Sequence, residues 1–202
     1  MVAENTEEKG MKTGVLASQG AFAEHIAVLK KLGVETIPVR LPRQLAGLDG
    51  LIIPGGESTT ISKLIKDYDL ISGIRRLAEE GKPIFGTCAG MILLAKEIPD
   101  STVEPLGLMD ISVKRNAFGR QNESFETDLD IPVLGNEPFH AVFIRAPLIE
   151  SVNGTTEVLA RLENGTAVAA RQGKFLVSAF HPELTDDLRF HRYFLDMISG
   201  EK

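Results

Sequence analysis

The chain has 202 residues, 43% of them hydrophobic and 25% charged, with a mean hydropathy near zero, the profile of one globular domain with a full core. A formal net charge of −6 argues against a nucleic-acid surface, and no apolar run approaches the roughly 20 residues that a membrane span needs. The single cysteine excludes an internal disulfide and fits a reducing, cytoplasmic compartment.

Residues 1–10 are polar and charged, with Glu4, Glu7, Glu8 and Lys9 ahead of Met11, and read as a disordered extension before a single domain over residues 11–202. Residues 13–17 form a first strand. Residues 22–32 place Phe22, Ile26 and Leu29 at helical spacing and close on Gly33, which predicts an amphipathic helix with a glycine stop. Strands over 34–39 and 51–53, helices over 60–65 and 70–80, and a strand over 83–85 follow. That alternation predicts an α/β fold with a mostly parallel central sheet and helices on both faces. Residues 103–170 change character. Short β-type runs at 111–113, 141–144, 157–161 and 167–171 are separated by Pro, Gly and Asn-Gly turns, which predicts a small antiparallel extension. Residues 174–180 read as a further strand and 187–198 as a closing helix. No repeat or linker divides the chain.

The chemistry-bearing residues sit at strand ends. Cys88 lies in Gly86-Thr87-Cys88-Ala89-Gly90, where an apolar run meets a turn and then a helical pattern, the grammar of a nucleophile elbow. The N-terminus of the following helix would favour thiolate over thiol there. Read alone, such a cysteine is as readily a small buried hydrophobe. His181-Pro182-Glu183 follows the strand over 174–180, and Pro182 ends that ladder. A thiol nucleophile needs a base, and the base needs a group that fixes its tautomer; His181 and Glu183 fit those parts, two residues apart on one face of an extended segment. Pro54-Gly55-Gly56-Glu57 follows a third strand and leads into a helix with Ser58 or Thr59 as N-cap. Its bare N–H groups suit an oxyanion, although Gly-Gly after a strand is by itself more often only a turn. A phosphate-binding loop is poorly supported, since the lysine motif is missing and Glu57 would repel a phosphate.

These residues resemble the class I (triad) glutamine amidotransferases. Within that class they are similar to the glutaminase subunits of pyridoxal 5′-phosphate synthases, on Ser18-Gln19-Gly20-Ala21-Phe22 with Glu24-His25, Pro54-Gly55-Gly56-Glu57-Ser58-Thr59-Thr60, Arg115-Asn116-Ala117-Phe118-Gly119-Arg120-Gln121, Phe143-Ile144-Arg145-Ala146-Pro147 and Phe180-His181-Pro182-Glu183-Leu184-Thr185. The resemblance spans about residues 11–198 and implies a flavodoxin-like three-layer sandwich. It implies L-glutamine hydrolysis to glutamate and ammonia through Cys88, His181 and Glu183, with a glutamyl thioester intermediate and an oxyanion hole at Gly56 and Ala89. Gly55, Gly56, Glu57, Arg115, Ile144 and Arg145 would bind the substrate, and Gln19 would couple the site to a partner. That partner would be a synthase subunit in a large hetero-oligomer, which takes the ammonia with a pentose phosphate and a triose phosphate. No metal, cofactor, nucleic acid or membrane is implied. A glutaminase of another amidotransferase pathway is an alternative. So is a DJ-1-like thiol-dependent protein, although histidine often follows the cysteine there, where this chain has Ala89.

Overall fold

A computed structural model describes residues 10–99, 101–115 and 124–202. The expected extension over residues 1–9, and residues 116–121 of the motif that begins at Arg115, lie outside the described residues. In chain order the elements are β1 (Lys12–Leu16), α1 (Phe22–Lys31), β2 (Glu35–Val39), β3 (Gly50–Ile53), α2 (Ser58–Asp67), α3 (Leu70–Glu79), β4 (Ile84–Thr87), α4 (Ala89–Leu94), β5 (Ala95–Glu97) and β6 (Met109–Lys114). They continue with β7 (Ser124–Leu129), β8 (Phe139–Ile144), β9 (Leu148–Val152), β10 (Glu157–Arg161), β11 (Ala167–Gln172), β12 (Phe175–Ser178) and α5 (Arg189–Ser199).

Five strands pair in parallel in the order β2-β1-β3-β4-β12, the flavodoxin-like arrangement of a doubly wound sheet. β3 and β4 are wholly buried, as their continuous apolar sequences require in a sheet covered on both faces. Side chains alternate across β4. Phe85 packs on Phe190 and Phe194 of α5, with centroids 5.5 and 5.6 Å apart, and on His25 of α1. Gly86 faces the other way, where the backbone of Gly90 and the side chain of Leu94 in α4 press close. Burial of each of these aromatic side chains is worth about 2–3 kcal/mol.

Beyond β12 the same sheet continues through β11, β9, β6 and β5, with β10 also on β11; β11, β9 and β10 pair antiparallel. A separate hairpin joins β7 to β8. The expected antiparallel extension is present with more strands than the four runs read from the sequence: β9 joins it, β5 pairs parallel with β6 at the sheet edge, and β7 belongs to the separate hairpin. The expected strand over 174–180 stops at Ser178. Among the described residues, no helix is long and apolar enough to cross a membrane.

Candidate active site

The loops that leave the C-terminal ends of β1, β3, β4 and β12 converge, as ligand sites of open parallel sheets do. Cys88 follows β4 directly, with φ 49° and ψ −101°. A non-glycine residue there is strained, and the neighbouring strand holds it: Cys88 N–H donates to the Ser178 carbonyl at 2.7 Å, one step beyond the Thr87–Ser178 pairing of β4 with β12. The elbow turns the nearly buried thiol toward the Ile144 carbonyl, 3.9 Å from Sγ. Ala89 is the first residue of α4, so its N–H has no partner within the helix.

His181 stands three positions beyond the end of β12, and its N–H donates to the Val142 carbonyl of β8 at 2.8 Å. Pro182–Leu184 then forms a short 3-10 turn, not the extended segment expected from the sequence. That turn, started by the fixed φ of Pro182, swings Glu183 back so that Oε1 lies 2.7 Å from His181 Nδ1. Both residues are buried. Burial acts to lower the His181 pKa, but hydrogen bonds to Cys88 and Glu183, and the charge on Glu183, outweigh it and raise it to about 10. Burial likewise acts to raise the Glu183 carboxyl, and His25 and His181 more than offset it, leaving it below its ordinary value. The pair rests at neutral pH as imidazolium and carboxylate.

The glycine turn after β3 touches the same residues. A methyl group at Gly55 would come within 3.1 Å of His181 Nδ1 and 3.3 Å of Cys88 Cβ. Gly55 N–H donates to Thr87 Oγ1 at 3.0 Å, and the Gly55 carbonyl accepts from Ala21 N–H at 3.0 Å. Because the peptide is trans, the Gly56 N–H points away from Ala21. Gln19 Oε1 accepts from Glu57 N–H at 2.9 Å. The helix cap is Glu57 itself, not Ser58 or Thr59: its carboxylate accepts from Thr59 N–H at 3.2 Å, Thr60 N–H at 2.6 Å and the hydroxyls of both. Those bonds hold the Glu57 carboxyl down to about 2. Arg115 lies 3.7 Å from it and donates to Ser101 Oγ at 3.2 Å. Arg145, next to the Ile144 carbonyl, has φ 45°.

Residues 15–200 match the SNO glutamine amidotransferase family. The chain belongs to that family. A relative from Herpetosiphon aurantiacus, named pyridoxal 5′-phosphate synthase subunit PdxT, is 62% identical over 190 residues, which cover 93% of this chain and 100% of its own. One of the same name from Pelotomaculum thermopropionicum is 62% identical over 92% of this chain and 94% of its own. A crystal structure of a glutamine amidotransferase superposes with a TM-score of 0.88 at 53% identity, covering 93% of this chain and 98% of that one.

In this glutamine amidotransferase four residues to which the sequence reading gives no role stand at or behind the site: Gly20, His25, Thr87 and His191. The signal for three of them was a polar side chain on an apolar face. His25 falls between Phe22, Ile26 and Leu29 on the buried stripe of α1, Thr87 shares a strand face with Phe85, and His191 sits between Phe190 and Phe194. Gly20, with φ +91°, packs on the Gly55 carbonyl, a contact between distant loops that only the fold reveals.

Proposed function

We propose that this glutamine amidotransferase hydrolyses L-glutamine with Cys88 as nucleophile, His181 as acid and base, and Glu183 as the group that orients His181. The observation that carries the reading is the buried Glu183–His181 contact of 2.7 Å beside the strained Cys88 elbow. The thiolate attacks the carboxamide carbon, and the oxygen of the tetrahedral adduct takes hydrogen bonds from the N–H groups of Gly56 and Ala89. His181 gives its proton to the amide nitrogen, the C–N bond breaks, ammonia departs and a glutamyl thioester remains. Neutral His181 then takes a proton from water as the water attacks the thioester. The C–S bond breaks, glutamate leaves and the thiolate is restored. Gly55, Gly56 and Glu57 line the glutamine site with Arg115, Ile144 and Arg145, and an arginine suits the substrate α-carboxylate.

The chain is the glutaminase subunit of pyridoxal 5′-phosphate synthase, as the relatives named for that subunit at 62% identity support. It works in the cytoplasm and delivers ammonia to a docked synthase subunit, which joins it with a pentose phosphate and a triose phosphate. Gln19 couples docking to the Gly55-Gly56 turn through its bond to Glu57 N–H. The test mixes the chain with such a synthase and glutamine labelled with ¹⁵N on the amide. Label enters pyridoxal 5′-phosphate with wild type and not with Cys88→Ala, while added ammonium salt restores product in the variant. Turnover by Cys88→Ala would end the thioester mechanism, and purification with a different amidotransferase partner would move the chain to another pathway.

A further inference from the structure

A buried polar chain lies behind the three catalytic residues. Glu183 gives one carboxylate oxygen to His181. Its other oxygen, Oε2, is shut off from water and makes no hydrogen bond of normal geometry among the described residues; it faces His25 Nε2 at 3.4 Å. His25 is fully buried on α1. Its Nε2 also lies 3.2 Å from Thr87 Oγ1, and its Nδ1 lies 2.9 Å from His191 Nε2 on α5.

The groups that face His25 are Glu183, His181, Glu24 and His191. Burial pushes both His25 and His191 below the ordinary histidine value, so both rings are neutral at pH 7 and each carries one N–H. Suppose His25 held its proton on Nδ1. His191 would then accept at Nε2 and carry its own proton on Nδ1, a buried atom with no partner among the described residues, while a His25 lone pair faced the anionic Oε2. With the proton on Nε2, His191 Nε2–H donates to His25 Nδ1, and His25 Nε2–H donates to Thr87 Oγ1 at 3.2 Å with the anionic Glu183 Oε2 facing it at 3.4 Å. Only one ring lone pair is then left unmatched. A buried donor or anionic oxygen without a partner is the costlier defect, so the second tautomer holds.

We propose that His25 is a positioning residue of this active site: its Nε2–H fixes the second oxygen of Glu183 and so the carboxylate that orients His181, with His191 fixing the tautomer of His25 from the core. Thr87, which contacts His25 Nε2 and accepts from Gly55 N–H, ties the same histidine to the glycine turn. The proposal rests on the assignment of Cys88, His181 and Glu183 given above.

The test compares His25→Gln, whose amide nitrogen replaces Nε2, with His25→Asn, whose amide nitrogen replaces Nδ1, and with His25→Leu. Each is measured in complex with the synthase for kcat and KM, and separately for the rate at which iodoacetamide alkylates Cys88 at neutral pH. Leu and Asn should lower kcat by about 10- to 100-fold, the usual scale for a residue that orients a functional side chain, with KM nearly unchanged. Alkylation should slow in both, because a poorly oriented imidazolium stabilises the thiolate less. Gln should recover most of both quantities. Equal behaviour of Gln and Asn, or a fall in kcat with unchanged alkylation, would overturn the proposal. If Leu fails to fold, the contrast between Gln and Asn still decides. An inactive Cys88→Ala beside a fully active His25→Leu would sink this inference alone, whereas an active Cys88→Ala would sink the assignment beneath it.

Discussion

Gly20→Ala should separate the geometry of the glycine turn from the stability of the fold. A Cβ at residue 20 would overlap the Gly55 carbonyl oxygen, a backbone atom that cannot swing aside as a side-chain tip can. The turn must therefore shift and loosen the bond from Ala21 N–H, worth about 1 kcal/mol. The backbone at φ +91° adds about 1–2 kcal/mol of strain for an L-residue. Together these lower stability by about 2–3 kcal/mol, or about 4–12 °C in Tm for a chain of this length. The catalytic loss should be larger in effect, because a displaced Gly56 N–H would remove the proposed oxyanion contact, worth about 3 kcal/mol, about 10²-fold in kcat. Gly33→Ala is the matched control, since φ is +75° there and no atom lies within 4 Å of the added methyl. It should share the backbone strain and keep the activity. The assay is steady-state glutamine hydrolysis with synthase present, beside a thermal melt of each variant. Wild-type kcat in Gly20→Ala, or an equal loss in Gly33→Ala, would refute the reasoning.

Glu183→Gln should lower kcat by about 10- to 10⁴-fold, the range expected when a triad loses the group that fixes its histidine; a near-normal rate would remove Glu183 from the triad and leave it a buried structural carboxylate. Glutamine hydrolysis should rise when the synthase is added, and Gln19→Ala should blunt that rise more than it weakens assembly in a binding titration; full activity in the free subunit would remove the gating role. Acid should destabilise the fold through His191, whose pKa is lowered by burial, with His25 nearby, from 6.5 to about 3. An unfolded histidine binds its proton first as the pH falls, so this stability is complete above about 6.5 and is lost toward about 3, by no more than about 5 kcal/mol. Urea unfolding across that window should show a flatter acid limb in His191→Gln, and parallel curves would exclude the linkage.

The parallel half of the fold was legible because β3, β4 and β12 are short apolar runs set between helical patterns, and burial on both faces writes that composition directly into sequence. The extension was less so. β7 alternates exposed and half-buried residues through Glu126 and Asp128, which read as loop composition, and β9 carries Glu150 and Ser151 on an exposed stretch. Cys88, His181 and Glu183 could be picked out as residues, but their mutual geometry could not. The extended His-Pro-Glu reading fails because Pro182 starts a 3-10 turn, and the cap falls on Glu57 because a longer carboxylate reaches two N–H groups and two hydroxyls at once. Nothing local in the sequence separates those outcomes from their rivals.

The segment from Gln19 to His25 meets the site at four separate points: Gln19 on the Glu57 N–H, Gly20 and Ala21 on the Gly55 carbonyl, and His25 on Glu183. It leaves β1 as a loop and enters α1, so its first residues are exposed or half-buried and His25 is wholly enclosed. A rigid helix carries any displacement of its first turn along its axis, because its backbone bonds resist bending. Under the coupling proposed for Gln19, a partner seated on that loop would act on the glycine turn and on Glu183 through one continuous piece of chain. Cys88 meets this path through its neighbour Thr87, whose hydroxyl contacts His25 and accepts from Gly55 N–H. Its own backbone is anchored by β12 through the Ser178 carbonyl. The sheet holds the elbow and the Gln19–His25 segment holds the glycine turn, so the coupling proposed for Gln19 would be exerted on the turn first.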